Sequence, residues 1–338
     1  MEYYDKLFRD YLNEDGDVFI AGTNFSRDFI LQTIDESLYN EAYLEWLSQR
    51  KNSLIDKADE ILLQYKLFGR FQKIREIYSR GMLRPFIGAG LSISSDYPGW
   101  TDFLYEVLNE TNIDKALMDS CIAEGKYEEA AQLLSDALPD GGFLEQVENK
   151  FGIDKEISGI VLKIPSIFRS TVITTNFDNI LERCYDNEQV IFNEILLGSE
   201  AKDFPRLIGE GKSILLKLHG KANTSRNRIL TKTEYDRHYG SNKDLERIIE
   251  CVSQNSLLFM GCSLTIDRTI QCLQNIANIK GHENIPKHYA FLQLNDESIR
   301  IARQDELRRA NIYPIWYTGD HDECLEALLE KLVDGVDK

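Results

Sequence analysis

The chain has 338 residues, 43% of them hydrophobic, and a net charge of −17. That length allows one large domain or two ordinary ones with a sizeable core, and it argues against disorder. The acidic balance argues against a general grip on nucleic acid, which needs Lys and Arg surfaces.

The N-terminus MEYYDKLFRDYL is acidic and amphipathic and does not read as a signal peptide. Residues 1–80 read as mainly helical, because EAYLEWLSQRKNSLIDKADEILLQYKLFGRFQKIREIYSRG spaces its apolar residues at helical intervals. The early DVFIAG reads as a short strand, and Gly81 as the stop of the last helix. From Met82 strand-like runs alternate with helical ones. The strands are MLRPFIG, STVITTN, SILLKLHG, SLLFMGC, HYAFLQL and IYPIWY, several apolar nearly throughout, as strands buried on both faces are. The helices are WTDFLYEVLNE, DNILERCYD, TIDRTIQCLQNIANI, DESIRIARQDELRRA and HDECLEALLEKL. The expected fold is α/β: a Rossmann-like, doubly wound parallel sheet over 81–338, with a helical insertion at about 100–168 and an N-terminal helical region over 1–80.

The longest apolar stretches, such as SLLFMGC at 256–262, are strand-sized and too short for a membrane span, so a cytoplasmic location is expected. The six cysteines, at 121, 184, 251, 262, 272 and 324, form no CxxC pair, and the five histidines do not cluster with them. Neither a structural zinc site nor a disulfide framework is expected, and Cys251 and Cys262 read as small core residues.

Ligands of such sheets bind at the carboxyl ends of the strands. Four strand ends stand out. In GAGLS, Gly88, Ala89 and Gly90 allow a sharp turn, the next helix offers free N–H groups to a pyrophosphate, and Ser92 adds a hydroxyl donor. The sixth position of a full G-x-G-x-x-G fingerprint is Ile93, so a plain turn explains the loop equally well. In TTNFD, Thr175, Asn176 and Asp178 follow an apolar strand; the plain alternative is that Asp178 caps the next helix. In LLKLHG, His219 is a candidate proton acceptor, or a structural histidine bonded to a neighbouring carbonyl. In FMGCSLTID, Gly261 and Ser263 repeat the first loop's order of strand, glycine and hydroxyl, unless Ser263 or Thr265 merely caps a helix.

The ordered set GAGLS, PGW, TTNFD, LHG and GCSLTID, over roughly 82–333, resembles the sirtuin-like NAD+ hydrolases (NADases) of bacterial anti-phage defence. The resemblance implies a Rossmann-like fold with NAD+ as substrate and no metal. It puts dinucleotide contacts on Gly88, Ala89, Gly90, Ser92, Thr175, Asp178, Gly261 and Ser263, and catalysis on Asn176 and His219. Deacylating sirtuins carry a four-cysteine zinc module and a G-I-P-D-F-R type loop; this chain has no CxxC and reads DYPGW, with Pro98 and Trp100. Both departures point toward the defence branch, whose members cleave NAD+ to ADP-ribose and nicotinamide and deplete it in infected cells (abortive infection).

Such an enzyme must be silent until infection, so control by homo-oligomerisation or a partner is expected. Family relatives work with a HerA-type ATPase, with an Argonaute-like protein, or through an attached sensor domain. No sensor domain is visible here, so a separate partner is expected, with residues 1–80 and the insertion as contact surfaces. Two rival readings stay open: an NAD- or nucleotide-binding sensor without turnover, and an NAD-dependent protein deacylase or ADP-ribosyltransferase.

Overall fold

A computed structural model describes residues 2–224, 227–241, 243–264 and 268–336. A short antiparallel hairpin, β1 (Val18–Ile20) and β2 (Thr23–Phe25), stands apart from the main sheet. That sheet holds β3 (Leu83–Ile87), β4 (Thr171–Thr174), β5 (Glu194–Leu197), β6 (Ile214–Lys217), β7 (Ser256–Met260), β8 (His288–Gln293) and β9 (Ile312–Tyr317). Their spatial order is β5-β6-β4-β3-β7-β8-β9, and every neighbouring pair is parallel. The chain starts at the centre with β3, builds outward on one side through β4, β5 and β6, then crosses back to add β7 on the other. The switch point therefore lies beside β3, where open α/β sheets bind ligands.

The uninterrupted apolar runs are explained by two cores. In β6, Leu215 joins one core while Ile214 and Leu216 join the other; in β7, Leu258 and Met260 face one and Leu257 and Phe259 the other. One face is covered by the helices Phe204–Gly209, Asp244–Val252, Arg268–Lys280 and Arg300–Arg309. The other is covered by Glu36–Gln64, Phe68–Ser79, His321–Val333 and the insertion, whose helices include Trp100–Leu108, Tyr127–Ala137 and Gly142–Phe151. Pro85 is tolerated in central β3 because β4 pairs only with Phe86 and Ile87. Pro314 lies on β9, the edge strand.

The six long strand expectations each fall on a strand, and the 100–168 segment is helical apart from its connections. Two strands were not foreseen. β2 is three residues long, and β5 is an edge strand whose Glu194 and Ile195 are exposed, so it lacks the doubly buried signature. Gly81 does follow the helix Phe68–Ser79 in the left-handed region, φ +68°. Among the described residues no helix is long and apolar enough to cross a membrane.

Residues 1–80 share the first core. Ala58, Ile61 and Leu62 of the helix Glu36–Gln64 are buried in the same cluster as Leu325, Leu328 and Leu329 of His321–Val333. Arg50 pairs with Glu326 at 2.5 Å, and Lys331 with Asp59 at 2.7 Å. Much of the amphipathic face is thus occupied within the chain, although Leu38, Leu44 and Leu63 remain exposed. Leu62→Ala should therefore lower the stability of the whole chain by about 3 kcal/mol. Urea unfolding should remain one transition; a separate early transition of residues 1–80 would contradict a shared core.

Candidate functional site

Register aligns the four strand ends. Ile87 pairs with Thr174 on one side and Met260 on the other, and Thr174 pairs with Lys217. Gly88, Thr175, Leu218 and Gly261 thus leave the sheet in one line, and Asn176 and His219 each lie two residues beyond a paired position. Thr174 ties the line together: its hydroxyl donates to the Ile87 carbonyl at 2.8 Å and accepts the Asn176 N–H at 3.0 Å.

The two glycine loops cross each other. Gly88 N–H donates to Met260 O at 2.9 Å, and Gly90 N–H to Gly261 O at 2.8 Å. A Cβ on Gly88 would meet Gly261 O at 2.4 Å, and one on Gly261, at φ +66°, would meet Leu91 N at 2.7 Å. Backbone contact between loops therefore suffices to require these glycines. The helix of the first loop is a 3₁₀ helix, Ala89–Ser95. Its first N–H groups are not all free, since Leu91 N–H reaches Gly88 O at 3.2 Å. Beyond Gly261, Arg303 donates to the Ser263 carbonyl at 2.9 Å and to that of Leu264, anchoring the loop. The rest of that motif, Thr265 to Asp267, lies outside the described residues. Cys262 and Cys251 are half-buried against the second core.

Behind the crossing runs a buried polar chain. Ser92 donates to Asp178 Oδ2 at 2.9 Å and accepts from Asn176 Nδ2 at 3.2 Å. Its proton is therefore engaged by Asp178. Asp178 Oδ1 accepts the Ile180 N–H at 3.1 Å, so the capping alternative holds as well. Both carboxylate oxygens are engaged by the protein. Burial pushes the Asp178 carboxyl above its usual range, against the pull of Lys217 and Ser92. Lys217 is itself buried; it donates to the Asp178 carbonyl and lies 3.2 Å from Glu182, which also pairs with Lys221 at 2.9 Å. Burial opposes ionisation of Glu182, but Lys217 and Lys221 hold its carboxyl below the ordinary range. The Asn176 amide is thus oriented by its nitrogen, which donates to Ser92. Thr175 is half-buried beside it.

His219 is 6% exposed. Its Nε2 lies 2.9 Å from the Tyr239 hydroxyl and its Nδ1 3.3 Å from that of Tyr235. Burial pushes its pKa down to about 3. The expected carbonyl partner of a structural histidine is replaced by two phenols.

Residues 170–315 match the SIR2-like domain family. Asn176, Asp178, His219, Gly261 and Ser263 fall inside the matched span; the Gly88–Ser92 loop precedes it. The chain is 24% identical over 229 residues to "NAD(+) hydrolase ThsA" of Enterococcus faecium, covering 66% of this chain and 45% of that protein. It is 24% identical over 255 residues to "NAD(+) hydrolase ThsA" of Acinetobacter baumannii (strain 532279), covering 73% and 46%. It is 24% identical over 221 residues to "Defense-associated sirtuin 2" of Bacillus subtilis, covering 64% and 21%. Each alignment thus spans less than half of the relative's length.

Sequence reasoning missed Lys217 and Glu182, and the Tyr235–Tyr239 pair. A lysine closing the apolar run ILLK and two tyrosines four apart in TEYDRHY were the available signals. Two surface hollows lie away from these strand ends: about 690 Å³ against Tyr105 and Lys115 in the insertion, and about 390 Å³ beside Arg84 and Thr171 at the opposite edge of the sheet. Among the described residues no group of three or more His, Cys, Asp or Glu side chains is arranged to hold a metal ion.

Gly261→Ala combines the clash with Leu91 and a strained φ, so it should cost about 2–3 kcal/mol in urea unfolding. Gly81→Ala, at φ +68° with nothing within 4 Å of a new Cβ, should cost only about 1 kcal/mol. Equal costs would mean that the loops do not cross as closely as described.

His219 and His288 are both buried, and His288 is pushed down to about 4. The unfolded chain takes up these protons near pH ~6.5 while the folded chain leaves both rings neutral. Stability is then complete above that pH and falls as pH drops toward the folded values, by about 1.4 kcal/mol per pH unit for each ring. His219→Gln should remove one such increment from the slope of unfolding free energy against pH between about 6 and 4.5. An unchanged slope would mean that His219 titrates normally in the folded chain.

Proposed function

We propose that the chain is an NAD+ glycohydrolase that cleaves NAD+ to ADP-ribose and nicotinamide and serves anti-phage defence by depleting NAD+. The observation that carries this reading is the alignment of Asn176, His219 and the two crossed glycine loops along one sheet edge at the switch point. The names of the relatives, two of them NAD+ hydrolases, support it.

The nicotinamide–ribose bond is already activated, because nicotinamide leaves as a neutral molecule. Positioning and electrostatics therefore supply most of what the protein must provide. In this reading the Asn176 amide oxygen orients the attacking water or a ribose hydroxyl, and His219 accepts a proton from one of them. The glycine loop, with Gly88, Ala89 and Gly90, lets the dinucleotide approach the backbone, aided by Thr175 and Ser263. Asp178 acts indirectly by fixing Ser92 and, through it, Asn176. Control by self-assembly or by a partner protein belongs to the same proposal.

The sensor reading has one observation in its favour. In this conformation both nitrogens of His219 are engaged and its basicity is low, which suits binding without turnover. Incubation with NAD+ separates the two. The hydrolase reading expects equimolar nicotinamide and ADP-ribose by chromatography, with turnover reduced at least about 100-fold in Asn176→Ala and His219→Ala. Saturable NAD+ binding with no nicotinamide release, or unchanged turnover in both variants, would sink it.

A further inference from the structure

The run MLRPFIG is apolar except for Arg84, which sits inside β3. Register shows which way it faces. Phe86 pairs with Ile173, and both belong to the second core. Two residues earlier on each strand, the two-residue period puts Arg84 and Thr171 on that same face, at the amino ends of β3 and β4. The helices Phe204–Gly209 and Asp244–Val252 cover the face and leave a hollow of about 390 Å³ beside the pair. Such a volume suits a small organic molecule. Ile173, Phe204, Pro205 and Ile208 give it an apolar wall, and Arg247 of the second helix lines it as well.

The charges of the hollow do not balance. Arg84 is half-buried, and its guanidinium donates to the Gly81 carbonyl at 2.7 Å. Among the described residues neither Arg84 nor the exposed Arg247 forms an ion pair. Glu250, the acidic residue of the lining, is held by Lys280 at 2.6 Å. Burial, with no acid to offset it, holds the Arg84 guanidinium below the ordinary arginine range. Elsewhere the chain pairs its buried cations: Lys163 with Glu330, Lys217 with Glu182 at 3.2 Å and Arg228 with Glu148 at 3.1 Å. With 56 acidic residues against 39 basic ones, acids are not scarce. A guanidinium presents a planar fork of donors that matches a carboxylate or a phosphate, and leaving it partly buried without a counter-charge is costly. An oxyanion supplies that counter-charge, and the apolar wall accepts whatever flat group carries it.

We propose that this hollow is a second ligand site, which takes a small organic anion: a carboxylate or phosphate monoester bound by Arg84 and Arg247, on a flat apolar group that packs against Phe204 and Ile208. The site lies at the amino ends of the strands, whereas Asn176 and His219 follow their carboxyl ends. It does not rest on the hydrolase reading.

The experiment is methyl NMR of the full-length chain labelled at its isoleucines, with Ile208→Val to assign the reporter signal. The probes are phenyl phosphate and benzoate, with phenol as the neutral control and inorganic phosphate as the bare head group. The Ile208 methyl should shift saturably with one or both aromatic anions, with Kd on the order of 1 mM at low salt. Phenol and inorganic phosphate should bind at least about tenfold more weakly, and the tighter aromatic anion names the head group. Arg84→Met and Arg247→Gln should each weaken binding about tenfold. Should Arg84→Met fail to fold, Arg247→Gln, at an exposed position, carries the test alone. No Ile208 shift at about 10 mM of either aromatic anion, an equal response to phenol, or binding unchanged in the variants overturns the proposal. Because the readout is binding, a chain that releases no nicotinamide refutes the hydrolase reading and leaves this site standing.

Discussion

At Gly90 the backbone of one loop donates its N–H to the carbonyl of Gly261 in another, and no side chain fits between them. The loops that leave β3 and β7 are thereby locked at backbone distance. This lock turns the segment after Gly90 into a tight 3₁₀ turn and buries Leu91 and Ser92 beneath it. Ser92 then meets the end of β4, where Asp178 and Asn176 take its proton and its lone pair. A looser crossing would leave Asn176 without its partner. The glycines are thus explained first by packing, and their service to a ligand follows from the geometry that packing fixes.

The second constraint is electrostatic. Asp178, Lys217 and Glu182 are all buried, and taking such charges out of water costs several kcal/mol each unless they are paired and hydrogen-bonded. Here nearly every group has a partner: Lys217 spans the Asp178 carbonyl and Glu182, Lys221 covers Glu182 from the outer side, and Ile180 N–H and Ser92 share the Asp178 carboxyl. Apolar residues of equal volume would stabilise the fold at least as well. What the charged set adds is direction, since each member accepts only the partners it has. It holds the TTNFD segment in one arrangement, and Trp100 packs on its Phe177 at 5.5 Å, so the insertion braces the same turn.

The sheet was legible because buried parallel strands carry an apolar residue at every position, whichever core each faces. β5 escaped because half of it faces solvent, and β2 because three residues make no period. Asn176 and His219 were legible as polar residues at the ends of apolar runs, where an unpaired polar group is costly. Their partners were not. Nothing local tells that Lys217 reaches the Asp178 carbonyl and Glu182, or that Tyr239, twenty residues after His219, returns to its ring. Those are facts of topology: β6 lies next to β4, and the 232–241 helix folds back over the strand end. The partner of Ser92 was hidden for a related reason, since sequence shows a donor but not which acceptor reaches it first.

The two halves of the site are built in contrasting ways. Asn176 rests on ions, and His219 rests on neutral phenols with no carboxylate among the partners recorded for its ring. A carboxylate behind a histidine stabilises the imidazolium and strengthens the base. A phenol fixes the ring's orientation without that gain, and burial then lowers the basicity. Such a histidine is poorly suited to reactions that require a strong base. In the proposed reaction the leaving group departs neutral, so a weakly basic, well-placed acceptor suffices.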